Sequence, residues 1–249
     1  MLPTRRQLLV LVALTLAVTS LPAIAQVVTA TVAAGGGPYA VAVNAGKIYV
    51  TNVCGDDPTC QSPGTVTVID GATLSTQTVT VGFSPYALGV DSQANKIYVA
   101  NECGNDVNCG SAGTVTVIDA NNNYATTSVQ VGYFPFSLAV NSTTHQICAT
   151  NECGSDSTCS SFGSVSVIDG GSNMVTATVP VQYFPEWIGL NPGNNKIYVA
   201  NNCGNDITCN SVGTVSIIDG ASNTVTATPN VGFYPYHLNV NGNTNQTYV

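Results

Sequence analysis

From residue 38 onward the chain alternates short apolar runs, rich in Val, Ile, Tyr and Thr, with clusters of Gly, Asn, Asp, Ser and Pro. One stretch reads Tyr86 to Asp91, Lys96 to Asn101, Thr114 to Asp119 and Ala125 to Val131, with turn formers between the runs. Runs this short, dense in β-branched and aromatic residues, predict strands; we label these four a to d. The a–b links (92–95 and 192–195) and the c–d links (Gly71-Ala72 and Gly220-Ala221) have the composition of tight hairpins, so each set of four predicts an antiparallel meander.

The set repeats. Lys47-Ile48-Tyr49-Val50-Thr51-Asn52 returns as Lys96-Ile97-Tyr98-Val99-Ala100-Asn101 and as Lys196-Ile197-Tyr198-Val199-Ala200-Asn201. Gln146-Ile147-Cys148-Ala149-Thr150-Asn151 is a degenerate copy, and Gln246-Thr247-Tyr248-Val249 a truncated one. The period is 49 residues once and 50 thereafter, which places units near 38–84, 85–134, 135–184 and 185–234, with a partial unit at 235–249. Four strands apolar on both faces need covering on both sides, and copies of the unit stacked radially supply that cover. A parallel β-helix competes, but its coils are shorter and lack four hairpin-joined strands. The expected fold is all-β, a β-propeller of four-stranded antiparallel blades, incomplete, with four full repeats and partial terminal strands.

At Tyr49-Val50-Thr51-Asn52 the repeats resemble the YVTN family of β-propeller repeats, found in archaeal surface-layer and bacterial exported proteins. The resemblance includes the proline before strand a (Pro38, Pro85, Pro135, Pro185, Pro235) and the Ile-Asp that closes strand c (Ile69-Asp70, Ile118-Asp119, Ile168-Asp169, Ile218-Asp219). It implies the fold and says little about the job, because one propeller scaffold hosts many functions. This chain departs from the family in carrying a cysteine-bracketed insertion in every b–c loop. Residues 26–33 resemble strand d, and the chain stops inside strand b of the fifth unit, so we expect a piece of a longer propeller, commonly seven-bladed in the resembling family.

The N-terminus has Arg5 and Arg6, an apolar run from Leu8 to Val18, and Ala23-Ile24-Ala25 before Gln26. That is the layout of a cleaved export signal over 1–25, and the run is too short for a membrane-spanning anchor. Both arginines lie in that segment, which leaves Lys47, Lys96 and Lys196 to face thirteen carboxylates. Nucleic acid is therefore excluded as a partner, since duplex binding needs clustered Lys or Arg. The expected location is secreted, periplasmic or cell-surface, with no transmembrane anchor after cleavage.

Eight of the nine cysteines fall into like-spaced pairs: Cys54 with Cys60, Cys103 with Cys109, Cys153 with Cys159, and Cys203 with Cys209. Export makes disulfides the expectation; the spacing exceeds that of zinc ligands, and no histidine accompanies the pairs. Cys148, on strand b where other copies have tyrosine, is expected to be an inert buried thiol. Asp57, Asp106, Asp156 and Asp206 recur in these loops, with Glu102 and Glu152 before two of the cysteines. They read as aspartates bonded to their own turns, and calcium is the alternative; no other cofactor is expected.

Catalytic machinery is thin, with His145 and His237 the only histidines and no nucleophile elbow. The d–a links instead concentrate aromatic residues: Phe83, Tyr133, Phe134, Tyr183, Phe184, Phe233 and Tyr234, with Trp187 shortly after. In an up-and-down blade these links and the b–c loops emerge on one face. The rings either pack between blades or form a binding face for an extracellular protein or glycan. We expect a non-catalytic binding or envelope scaffold acting through this loop face. A lactonase-like hydrolase whose site is completed by missing blades is the rival, and a purely structural envelope component is a third reading.

Overall fold

The computed structural model describes Val28 and residues 30–249. The signal expected over 1–25 lies outside the described residues, as do residues 26, 27 and 29 of the strand-d copy over 26–33; residues 30–35 form no strand. Two antiparallel meanders come first: β1 (Gly36–Asn44), β2 (Lys47–Gly55), β3 (Thr65–Asp70) and β4 (Thr76–Thr80), then β5 (Phe83–Asp91), β6 (Lys96–Gly104), β7 (Thr114–Asp119) and β8 (Ala125–Gln130). The third holds β9 (Pro135–Asn141), β10 (Gln146–Asn151), β11 (Ser164–Asp169) and β12 (Met174–Pro180). The fourth holds β13 (Tyr183–Asn191), β14 (Lys196–Gly204), β15 (Thr214–Asp219) and β16 (Thr224–Ala227), and a hairpin of β17 (Asn239–Asn241) and β18 (Gln246–Tyr248) follows. All belong to the unit Ala33–Val249.

The first strands of successive sheets, β1, β5, β9 and β13, lie side by side, and the outermost strands splay apart. That is the radial stacking of propeller blades. Strands expected at Tyr86 and ending at Asn101 are longer than the pattern indicated. Phe83 pairs with Gly104 across a register shift at Pro85, so the backbone of the link joins the sheet although its side chains do not alternate.

Alternation on strand b explains the apolar motif. Ile97 and Val99 face the first sheet, where they meet Tyr49, Val66 and Val68, while Tyr98 faces the third and meets Ile147 and Ile168. Each such buried aliphatic or aromatic residue contributes about 1.5–3 kcal/mol, so the core lies between the sheets and no blade is stable by itself. Cys148 occupies the tyrosine position in the third sheet, fully buried against Val165, Val199 and Ile218. Burial pushes its thiol up to about 12, which keeps it protonated and inert.

Polar contacts join the blades on the a–b turn side. Asn44 donates to Asn95 at 2.8 Å, Asn141 to Asn195 at 2.9 Å and Asn191 to Asn245 at 2.8 Å. In the remaining junction Asp91 meets His145 at 2.6 Å. Each acceptor residue sits in the left-handed region (φ 51° to 55°), which asparagine tolerates well. Lys47 pairs with Asp70 and Lys196 with Asp219, whereas Lys96 donates to the carbonyl of Gly170 in the next blade.

On the other side, glycine and proline interlock. A Cβ on Gly64, Gly113, Gly163 or Gly213 would lie 2.1–2.4 Å from Cδ of Pro85, Pro135, Pro185 or Pro235 in the following blade. Gly163→Ala should therefore cost about 1–3 kcal/mol in urea unfolding through overpacking. Gly232→Ala, whose Cβ would meet nothing within 4 Å, should cost far less. Equal losses for the two would contradict this junction.

Candidate functional site

The face opposite the a–b turns is built from d–a links and b–c loops, held together by backbone and one repeated side chain. In the link between the second and third blades, Gly113 donates to Gly132 O and Val131 donates back to Gly113 O, fixing the link to the blade behind. Gly132 then donates to Asn151 Oδ1 at 3.0 Å, and Tyr133 donates to Gly154 O at 2.8 Å, fixing it to the blade ahead. Asn151 Nδ2 in turn donates to the hydroxyls of Ser164 and Ser166 on strand c. Asn101 and Asn201 do the same for their own links, to Gly82 and Gln182, and for Thr114, Thr116, Thr214 and Ser216. Asn52 bonds Thr65 and Thr67, while its buried Oδ1 has no partner among the described residues.

All four disulfides are formed within their own loops, Cys54–Cys60, Cys103–Cys109, Cys153–Cys159 and Cys203–Cys209. Inside each loop an aspartate bonds the turn: Asp57 accepts from Thr59 and Gln61, Asp106 from Asn108 and Gly110, Asp156 from Thr158 and Ser160, and Asp206 from Thr208 and Asn210. Donated hydrogen bonds, first from the Thr59 side chain, hold the Asp57 carboxyl at about 2, and those from Thr158 and Thr208 lower Asp156 and Asp206. Among the described residues no three His, Cys, Asp or Glu side chains gather at metal-holding distance.

The aromatic residues divide by position. Tyr133, Phe134, Tyr183, Phe184 and Phe83 are partly buried, while Phe233 and Tyr234 are 62% and 56% exposed. Phe134, Phe184 and Tyr234, like Ser84, hold φ between 52° and 54°, a left-handed conformation that costs a side-chain-bearing residue about 1–2 kcal/mol. The flanking backbone bonds keep it, Glu152 donating to Phe134 O at 3.1 Å. Tyr234 lays its ring toward the preceding loop and donates its hydroxyl to Cys209 O. Trp187 lies two residues past the link proline, opposite Ala200, and stacks on His237 with ring centroids 4.0 Å apart.

A second group was not among the candidate binding residues. The residues just after the link prolines converge: Tyr39 and Tyr86 at 4.8 Å, Tyr86 and Phe136 at 5.8 Å, Phe136 and Tyr236 at 6.2 Å. Glu186 holds the same position in the fourth blade. Burial raises Glu186 and Glu102, and burial together with the charges of Glu186 and Glu102 pushes Glu152 up to about 8. The signal was available, since all five residues follow the repeated proline.

No protein-family model and no curated protein matches the sequence. Among solved structures, hydrazine synthase of Kuenenia stuttgartiensis is similar with a TM-score of 0.62 and 18% identity, over 82% of this chain and 52% of that one. Apo AztD from Citrobacter koseri is similar with a TM-score of 0.52 and 12% identity, over 81% and 49%. The protein is thus a β-propeller by architecture, and the chain spans about half the length of these two structures.

A carboxyl raised on folding binds its proton more tightly in the native state, so stability is greatest at low pH. It falls as pH climbs from the unfolded value of 4.5 toward about 8. Glu152→Gln should raise the unfolding free energy at roughly pH 9 by on the order of 2 kcal/mol and change it little near pH 4. Equal stabilities of variant and parent at the higher pH would contradict the assignment.

Proposed function

We propose that the protein is a non-catalytic exported β-propeller of the YVTN-repeat kind, which binds an extracellular glycan or protein through its linker and disulfide-loop face. The observation that carries this reading is the clamping of aromatic-bearing links to both neighbouring blades. Side chains such as Phe233 and Tyr234 are presented on backbone already ordered by hydrogen bonds and disulfides, so little further entropy opposes association. The opposite face offers Asn-rich turns and lysines already engaged by Asp70, Asp219 and Gly170. Four disulfides support an oxidising compartment, outside the cytoplasm.

One observation favours a catalytic reading: Glu152, protonated near neutral pH beside Glu102 and Glu186, has the pKa of a general acid. A lactonase-like hydrolase would use it on this same face, with further blades completing the site. Turnover of a lactone panel that disappears in Glu152→Gln would favour this reading over the binding one.

For the binding reading, replacing Trp187, Phe233 and Tyr234 with alanine should reduce glycan-array or cell-wall pull-down signal by about tenfold or more, with the fold retained by circular dichroism. Lys96→Gln and Lys196→Gln, which keep a donor as Gln146 does at the equivalent position, should leave the signal unchanged. Loss of folded protein in the aromatic variants would assign these rings to the core instead.

A further inference from the structure

The junctions between blades are copies of one another, and on the linker face one of them opens wider than its neighbour. Between the second and third blades, on the linker face, lies a cleft of about 440 Å³ bordered by Ala112, Tyr133, Ser155, Ser164 and Ser166. That volume falls within the ~300–1,000 Å³ of small-molecule sites. The corresponding cleft between the first and second blades, bordered by Gly82, Asn105 and Thr116, measures about 130 Å³.

Four side chains account for the difference, all smaller than their counterparts. Ala112 stands where the other units have Pro63, Phe162 and Val212, and Ser155 where they have Asp56, Asn105 and Asn205. Ser164 replaces Thr65, Thr114 and Thr214, and Ser166 replaces Thr67 and Thr116, matched only by Ser216. Three of these positions lie within one strand b to strand c segment, and Ala112 joins them at the cleft from the preceding blade.

The neighbouring junction indicates what would fit. Between the third and fourth blades the side chain at the Ala112 position is Phe162, and its ring lies 4.5 Å from that of Tyr183, the counterpart of Tyr133. A six-membered ring against the tyrosine is thus accommodated by this geometry. The polar lining states the chemistry. The Ser164 and Ser166 hydroxyls, 5% and 2% exposed, each accept from Asn151 Nδ2 at 3.0 Å. A hydroxyl that accepts still has its proton to donate, and among the described residues neither proton has an acceptor. Gln130 and Thr178 add amide and hydroxyl groups, and no charged side chain borders the cleft.

We infer that this cleft is a subsite for a neutral pyranose, its apolar ring face on Tyr133 and its oxygens accepting from Ser164 and Ser166. The inference rests on the binding reading above and deepens it by naming the ligand class and the place. A charged sugar would lose hydration without a counter-charge, so the site selects neutral rings.

The test is saturation-transfer NMR with neutral methyl pyranosides, the methyl glucoside, galactoside, mannoside and N-acetylglucosaminide, on the folded exported chain. At least one should bind, with saturation strongest on the C–H groups of one ring face. Ala112→Phe copies Phe162 and should abolish binding, and Ser166→Thr, the residue found at positions 67 and 116, should weaken it about tenfold. Phe162→Ala should open the sister junction and raise the stoichiometry from one site per chain to two. Binding that survives Ala112→Phe overturns the subsite, and so does binding of N-acetylphenylalanine amide where no pyranoside binds, which would assign the cleft to an aromatic side chain of a protein partner. If Ala112→Phe has no effect while the aromatic variants of the linker face abolish glycan binding, the subsite falls and the binding face stands. If no glycan or pyranoside binds at all, both fall.

Discussion

The structure turns on a side-chain amide at the end of strand b. Asn101, Asn151 and Asn201 are fully buried, and each uses both ends of its amide. The nitrogen bonds two hydroxyls of strand c in its own blade, and the oxygen takes the N–H of the link arriving from the previous one. A buried amide left half-bonded would cost about 1–3 kcal/mol per lost partner, so the residue demands both the hydroxyl pair and the link in place. Apolar stacking supplies most of the cohesion between blades, but it is non-directional. The asparagine sets where each link must pass.

From that constraint the linker face follows. A link held at Gly132 by Asn151 and at Val131 by Gly113 has little freedom left, so the next residues can be kept in a left-handed conformation that phenylalanine and tyrosine do not choose unaided. The disulfide loops do the same for the neighbouring backbone, with an aspartate closing each turn inside the ring. Aromatic rings, three acidic side chains and a hydroxyl-lined cleft therefore share a rigid surface, whereas the opposite face settles its polar groups among its own turns. Small changes then matter: a cleft opens at one junction, where Ala112 stands, and at the next Phe162 packs its ring against Tyr183.

The blade architecture was legible in the sequence because its determinants are local and repeated. Ile97-Tyr98-Val99 is apolar on both faces, the turns carry Asn, Gly and Asp, and cysteines six apart recur in every b–c loop. The turn role of the loop aspartates was read for the same reason, since their donors are two and four residues away. The partners of Asn101, by contrast, lie 13, 15 and 19 residues away, and the contact of Gly64 with Pro85 joins two blades; spacing alone does not reveal either. Trp187, grouped with the linker rings by proximity in sequence, lies two residues past Pro185 and stacks on His237 of the following unit, a contact that spacing alone does not reveal. The convergence of Glu102, Glu152 and Glu186 depends on three successive blades, and a single repeat carries no sign of it.

If the asparagine bridge governs the links, the amides that it receives must behave as part of the sheet. Native-state hydrogen exchange at Gly82, Gly132 and Gln182 measures this directly, because loop amides without such partners open and exchange freely. The account predicts protection at these three amides comparable to that of Val115 and Val165 on strand c. Exchange as fast as at the exposed c–d turn amides Ala72 and Ala221, which donate only to the partly exposed carboxylates of Asp70 and Asp219, would mean that the links are loosely held, and the rigid linker face would lose its basis.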